Sequence, residues 1–138
     1  MTEAMSAAER DALTDFFVRY GEALATGDLP GISGCYVVPA LVVHDRGARP
    51  IVAREEIEAS FDGAAERHRA AGLVAARPRV LRAESLTDTL LSVDVHWDYC
   101  DEHGRSQSQD GYRYVLRRTD EGPLIQVVIA TPPSQQAQ

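Results

Sequence analysis

Cysteine is scarce in this sequence and long apolar runs are missing, and both absences exclude classes of protein. The 138 residues include two cysteines, Cys35 and Cys100, whose spacing matches no metal or redox motif. Reduced thiols in a cytoplasmic protein are therefore expected. No apolar run approaches the roughly 20 residues that span a bilayer. The N-terminal segment lacks the basic and apolar regions of a secretory signal, so we expect no membrane association.

Positive charge is also in deficit. Fourteen Lys and Arg against 21 Asp and Glu give a net charge of −7, and binding to nucleic-acid phosphates depends on concentrated basic residues. A nucleic-acid partner is therefore not expected. A Gly-rich phosphate loop, a Ser nucleophile motif and a Cys–His pair are missing as well. What remains is 44% apolar and 25% charged, which is typical of one globular domain.

The N-terminal third predicts two helices. Ser6 and Glu9 have the spacing of a capping box, which satisfies orphan N–H groups at a helix start. Gly27 is a suitable left-handed stop, and Asp28 can then cap a short second helix over residues 29–36. Between these limits the apolar residues recur at helical spacing on one face. They are Leu13, Phe16, Phe17, Tyr20 and Leu24.

The middle of the chain predicts a short strand pair and a third helix. Residues 41–44 and 50–52 are apolar runs on either side of a turn-like Asp-Arg-Gly segment. Helical spacing resumes at Arg54 and ends at Gly72. This third helix is expected to be continuous.

The last part of the chain alternates apolar and polar residues with period two, which is typical of half-buried strands. The four predicted strands cover residues 73–86, 90–99, 107–118 and 124–131. Turn residues between them favour an antiparallel meander that helices cover on one face. The predicted order is ααββαββββ in a single domain, residues 1–131, followed by a disordered tail, residues 132–138.

Three stretches carry a resemblance to a known superfamily. They are VRYGEALATGDLPGI at 18–32, LVVHD at 41–45 with AREEI at 53–57, and YVLRRTDEG at 114–122. In this order they resemble the nuclear-transport-factor-2-like superfamily, and within it ketosteroid isomerase and the SnoaL-like polyketide cyclases. The resemblance implies a cystatin-like α+β fold, in which a cone-shaped, curved antiparallel sheet is wrapped by three helices around one apolar pocket. It also implies a homodimer through the outer face of the sheet.

The same resemblance implies candidate catalytic residues. In ketosteroid isomerases a Tyr on the first helix stabilises the dienolate oxyanion and an Asp after the first strand moves the proton. These roles fall on Tyr20 and Asp45, with His44 as a weaker alternative because a regular strand points it to the opposite side. The second oxyanion donor of those enzymes, a protonated Asp, is replaced here by Tyr114 or Val115, which argues against steroid isomerisation.

Six further side chains are expected to line the pocket. They are Phe16 and Phe17 on the first helix, and Trp97, Asp110, Tyr112 and Tyr114 on adjacent strands. For the aromatic residues, and for Tyr20, ordinary core packing is the alternative. Asp45 also fits a turn, where Asp is common, and Asp110 also fits a solvated strand end.

A run of acidic and histidine residues at 94–103 superficially resembles a metal site. Asp94, His96 and Asp98 share the polar face of one predicted strand, and Arg113 and Arg117 are expected across the sheet as counter-charges. A solvated or dimer-facing surface is therefore preferred, and neither a metal nor another cofactor is expected.

Two functions fit this reading. The first is an enzyme that moves a proton on a small apolar molecule, as an isomerase, cyclase or dehydratase does. The second is a non-catalytic ligand-binding or dimerisation module of the same fold. Convergence of Tyr20, Asp45 and Trp97 on one buried cavity would favour the enzyme.

Overall fold

The computed structural model describes residues 5–131, and the tail predicted to be disordered lies outside them. Four helices and six strands occur along these residues. The helices are α1 Ala7–Thr26, α2 Leu29–Ser33, α3 Arg54–Phe61 and α4 Ala64–Ala70. The strands are β1 Tyr36–His44, β2 Gly47–Ile51, β3 Ala75–Ser85, β4 Leu90–Cys100, β5 Ser106–Thr119 and β6 Gly122–Thr131. Within residues 5–131, no helix is long and apolar enough to cross a membrane.

Both ends of α1 form as the sequence predicts, with one change at the start. Ser6 Oγ accepts a hydrogen bond from the Glu9 N–H at 3.1 Å. The Glu9 carboxylate does not complete the capping box but accepts from Arg118 on β5, at 2.9 and 3.2 Å. Gly27 ends α1 in the left-handed conformation at φ 75°. The helix start is thereby tied to the sheet.

The second and third predicted helices are shorter than expected. α2 is capped by Asp28 and stops at Ser33, because Tyr36 already begins β1. The third helix is divided into α3 and α4 at Gly63, whose φ of 78° is readily adopted only by glycine. The break redirects the chain, and both halves contribute side chains to the cavity described below.

The strands form one curved, unclosed sheet in the order β2-β1-β6-β5-β4-β3. The meander from β3 to β6 is confirmed by its antiparallel ladders. One pair corrects the prediction of an antiparallel sheet, because β1 and β6 run parallel. Pro78 lies on β3, an edge strand, where a residue without an N–H interrupts the ladder least.

The core lies between α1 and the concave face of the sheet. Leu13 and Phe17 of α1 are buried against Val93 and Leu116 of the central strands, in one apolar cluster. At Gly21 the helix approaches β3 so closely that an added Cβ would lie 2.7 Å from the Ala76 carbonyl oxygen. This packing ends at one end of the sheet, where an open cavity replaces it.

Candidate active or binding site

An apolar cavity of about 390 Å³ opens between α1, α3, α4 and the concave face of the sheet. Its apolar wall includes Leu24, Ile32, Ile51, Ile57, Phe61 and Val128. A concave, mostly apolar site with a few polar groups is the usual form of a small-molecule pocket.

Five of the residues singled out from the sequence lie on the cavity wall. They are Tyr20, Trp97, Asp110, Tyr112 and Tyr114. The period-two pattern placed the last four on the inner face of β4 and β5, and their cross-strand register brings them together. Tyr20 comes from the apolar face of α1.

Phe16 and Phe17 depart from the prediction that they line the pocket, because neither lies on the wall of this cavity. Phe17 is fully buried, with its ring centroid 5.0 Å from that of Tyr114 and 6.4 Å from that of Trp97. Phe16 packs edge-on against Phe17 at 5.0 Å. Both residues lie about one helical turn before Tyr20, where the space under α1 is already filled by core side chains. Their role is to support the aromatic wall from behind.

Asp45 and His44 also depart from the prediction, because neither lies on the cavity wall. Both are exposed and lie at the β1–β2 hairpin, with Asp45 in its turn. The Nδ1 atom of His44 accepts a hydrogen bond from the Arg46 N–H at 3.1 Å. The last β1 residue on the cavity wall is Val42, and the strand then carries the chain past the opening to an edge of the sheet. Asp45 therefore does not converge with Tyr20 and Trp97.

Two hydrogen-bonded pairs supply the polar groups of the inner wall. The hydroxyls of Tyr20 and Tyr36 are 2.6 Å apart, and either can donate to the other. The indole Nε1 of Trp97 donates to the Tyr114 hydroxyl at 2.9 Å. In each pair one phenol proton is left over, because a hydroxyl that accepts still has its own proton to donate. The inner wall can therefore offer two O–H donors to a ligand oxygen.

These phenols are held in the neutral form. Burial is the main cause that raises the pKa of Tyr20 and of Tyr114 well above the ordinary value, and neighbouring tyrosines raise both further. Burial also raises the pKa of Tyr36. A neutral phenol donates a hydrogen bond, whereas a phenolate cannot. At neutral pH the inner wall therefore presents donors and not charges.

Tyr36 was not identified from the sequence as a site residue. The short second helix was predicted to extend through it, so its place at the start of β1 was hidden. A register shift between Tyr36 and Leu41 also breaks the regular alternation of β1, and no period-two pattern marks the inward direction of this side chain. Its place on the cavity wall and its hydrogen bond with Tyr20 become visible only in the folded chain.

The mouth of the cavity is more polar than its inner wall. Burial raises the pKa of Tyr99, and the Asp110 carboxylate raises it further through its negative charge and a hydrogen bond. The ring of His68 on α4 lies 5.6 Å from that of Tyr99. On the opposite side, Arg49 Nη2 donates to Ser60 Oγ at 2.7 Å. Among residues 5–131, Asp110 is the one carboxylate on the cavity wall.

A family model covers almost the whole chain. The family described as NTF2-like protein (DUF6841) matches residues 9–134. The chain belongs to this NTF2-like family. The superfamily predicted from the sequence is thereby confirmed, although no curated protein sequence matches the chain significantly.

Solved structures share the NTF2-like fold at low sequence identity. Aln2 from a Streptomyces species has a TM-score of 0.71 at 16% identity over 98% of each chain. An NTF2-like protein from Shewanella oneidensis has a TM-score of 0.70 at 14% identity, over 89% of this chain and 98% of its own. A cystatin-like domain from Nostoc punctiforme has a TM-score of 0.69 at 18% identity, over 96% of this chain and 84% of its own. These similarities confirm the cystatin-like α+β fold.

The outer face of the NTF2-like sheet carries the acidic and histidine residues. Asp94 accepts two hydrogen bonds from Arg113 at 2.6 and 3.1 Å, as the predicted counter-charge requires. Arg117 departs from the prediction and donates to the Gln126 side-chain oxygen at 2.6 Å. The Nε2 atom of His96 lies 3.4 Å from Asp98. Within the described part of the chain, no cluster of three such side chains is arranged to hold a metal ion.

Proposed function

We propose that this protein binds a small, mostly apolar molecule that carries at least one oxygen able to accept a hydrogen bond. The observation that carries the proposal is the pairing of Tyr20 with Tyr36 and of Trp97 with Tyr114 on the wall of an otherwise apolar cavity. The apolar wall supplies affinity by removing the ligand from water. The two spare phenol protons supply orientation.

The size of the polar contribution is modest. A hydrogen bond between a neutral phenol and a ligand oxygen adds a net of about 0.5–1.5 kcal/mol to binding. A buried donor that a ligand leaves unmatched costs about 1–3 kcal/mol. The cavity should therefore discriminate between a ketone and the hydrocarbon of the same shape mainly by leaving its donors unpaired with the hydrocarbon.

Proton-transfer catalysis is the second candidate, and Asp110 is the observation that favours it. Its carboxylate shares the cavity wall with the phenols of Tyr20 and Tyr114, a combination of base and oxyanion donors. Asp110 would take a proton from a carbon next to a carbonyl, and the electron pair of the broken C–H bond would move into an enolate. The phenols would donate to the enolate oxygen. With a β,γ-unsaturated ketone the enolate is conjugated with the double bond, and return of the proton to the γ-carbon would complete an isomerisation.

Binding can be tested through the fluorescence of Trp97, the one tryptophan of the chain. A panel of small aromatic and alicyclic ketones, each with its parent hydrocarbon, would be titrated into the wild type and into Tyr20→Phe and Tyr114→Phe. We expect the ketones to bind more tightly than the hydrocarbons, and each variant to reduce that preference. Ketones whose affinity neither variant changes would contradict the proposed site.

Catalysis can be separated from binding with a matched pair of carboxylate variants. Asp110→Asn should retain ketone binding but lose exchange of the α-hydrogens with deuterated solvent, measured by NMR. Asp45→Asn makes the same chemical change in the exposed hairpin turn and should have no effect. If the wild type binds ketones without any exchange above the buffer rate, the protein is a binding module and the catalytic candidate fails.

We further propose a homodimer through the outer face of the sheet. Five half-buried apolar residues lie together there by register, namely Leu41, Val43, Val115, Val127 and Ile129. Val127→Asp would place a charge in this patch, whereas Val18→Asp places one on the exposed side of α1. Light scattering coupled to gel filtration should show a dimer for the wild type and Val18→Asp, and a monomer for Val127→Asp. A monomeric wild type would refute the proposal.

A further inference from the structure

An arginine without a carboxylate partner among residues 5–131 stands at the mouth of the cavity. Arg49 on β2 lies on the cavity wall, and its guanidinium donates to Ser60 Oγ at 2.7 Å. Ser60 in turn donates its own proton to the Glu56 carbonyl oxygen at 2.9 Å. Ser60 therefore acts toward Arg49 purely as an acceptor and holds the guanidinium in place without cancelling its charge.

The acid one helical turn before Ser60 on α3 is already engaged elsewhere. Glu56 Oε1 accepts hydrogen bonds from the N–H groups of Val52 and Ala53, at 3.1 and 3.0 Å, at the start of α3. Within the described part of the chain the Arg49 side chain forms no ion pair, whereas Arg69, Arg82, Arg113 and Arg118 each pair with a carboxylate. The charge of Arg49 is thus available to a ligand.

The acid on the cavity wall forms no ion pair with Arg49 within the described residues. Asp110 lies on β5, three strands from β2 in the sheet order, which corresponds to about 14 Å along the sheet at the usual strand spacing. The mouth therefore has a positive side at Arg49 and a negative side at Asp110. An anionic group entering the cavity would be directed to the Arg49 side.

We propose that the ligand carries an anionic group, such as a carboxylate, and that Arg49 binds this group at the mouth while the apolar body fills the cavity. This inference rests on the proposed binding function and narrows the class of ligand. Arginine suits the role because its fork of N–H groups matches a planar carboxylate, and charge-assisted hydrogen bonds are stronger than neutral ones.

A pair of fluorescent probes with one carbon skeleton tests the inference. 1-Anilinonaphthalene-8-sulfonate carries an anionic group, and N-phenyl-1-naphthylamine is the same molecule without it. The dissociation constants of both would be measured for the wild type, Arg49→Gln and Arg46→Gln. Arg46 is the matched control, because it is exposed in the adjacent turn, is not on the cavity wall and contributes the same charge.

We expect the wild type and Arg46→Gln to bind the sulfonate about tenfold more tightly than the neutral probe, the low end for a charged hydrogen bond at a partly exposed site. Arg49→Gln should abolish the preference and leave the affinity for the neutral probe unchanged. Equal affinities in the wild type, or an equal loss in both arginine variants, would overturn the inference while the proposed binding function stands. Ala64→Phe adds a ring to the cavity wall. If this variant binds the probes as tightly as the wild type does, the probes bind outside the cavity, and both proposals fail.

Discussion

Removal of the Tyr114 hydroxyl should destabilise the protein through its effect on Trp97. Both side chains are almost completely buried, at 3% and 1% exposure, and the indole N–H donates to the Tyr114 hydroxyl at 2.9 Å. Tyr114→Phe preserves the ring and its contacts with Phe17 and Tyr20. The change therefore isolates the loss of one acceptor from a buried donor.

The expected magnitude follows from the burial of that donor. A buried N–H left without a partner costs about 1–3 kcal/mol of stability. Tyr112→Phe is the control, because the half-buried Tyr112 contacts the Tyr114 ring but has no part in the bond to Trp97. Its cost should stay within about 0.5 kcal/mol, the usual range for a change away from such features.

Urea unfolding followed by circular dichroism measures the free energy of unfolding of each variant. A double-mutant cycle with Trp97→Phe then isolates the pair, and we expect a coupling energy of about 0.5–1.5 kcal/mol. A loss for Tyr114→Phe no larger than that for Tyr112→Phe, or a coupling energy near zero, would refute the reasoning. It would mean that the indole N–H is satisfied without Tyr114.

Three further predictions concern the tyrosines, the packing of α1 and its tie to the sheet. Burial raises the pKa of all five tyrosines, so the stability of the fold should be complete below the unfolded pKa of about 10 and fall as pH rises above it. Absorbance at 295 nm, which reports tyrosine ionisation, should rise only as the protein unfolds. Reversible ionisation of a native tyrosine near pH 10 would contradict this. Gly21→Ala should lower the thermal midpoint despite the better helix propensity of Ala, because the new methyl group would lie 2.7 Å from the Ala76 oxygen and 2.9 Å from the Trp97 ring; an unchanged midpoint would show that α1 can move away. Glu9→Gln should cost about 0.5–1 kcal/mol in urea unfolding by breaking the partly exposed pair with Arg118, and high salt should reduce the difference between variant and wild type.

Local signals predicted the helix limits well where capping chemistry decided them. The Ser6 cap and the Gly27 stop are visible in the sequence because each acts within one turn of the chain. The break at Gly63 was missed, since the apolar spacing continues across it and the two helices differ only in direction. The parallel pairing of β1 with β6 was missed as well, because strands so far apart in the chain carry no local mark of their relative direction.

The residues of the candidate site also differ in whether local signals could predict their positions. Period-two alternation was enough to place Trp97, Tyr112 and Tyr114 on the inner face of the sheet, because side-chain direction in a strand depends only on position parity. The pattern does not show how far along its strand a residue lies from the cavity. The expectation for Asp45 therefore failed: the position of β1 relative to the cavity mouth depends on its register with β6 and on a bulge near its start.

The sequence by itself determined that the chain forms an α+β fold of this superfamily, and that a face of aromatic side chains turns toward its helices. The helices, the strands and the aromatic face follow from periodicity, caps and turns, which are local, whereas the superfamily was inferred from the resemblance of three stretches of the chain. Only the tertiary structure decided that Tyr36 joins Tyr20, that Arg49 and Ser60 meet at the mouth, and that Asp110 lies on the cavity wall. Each of these depends on the register between distant strands and on the break between two helices, and those are set by packing across the whole core.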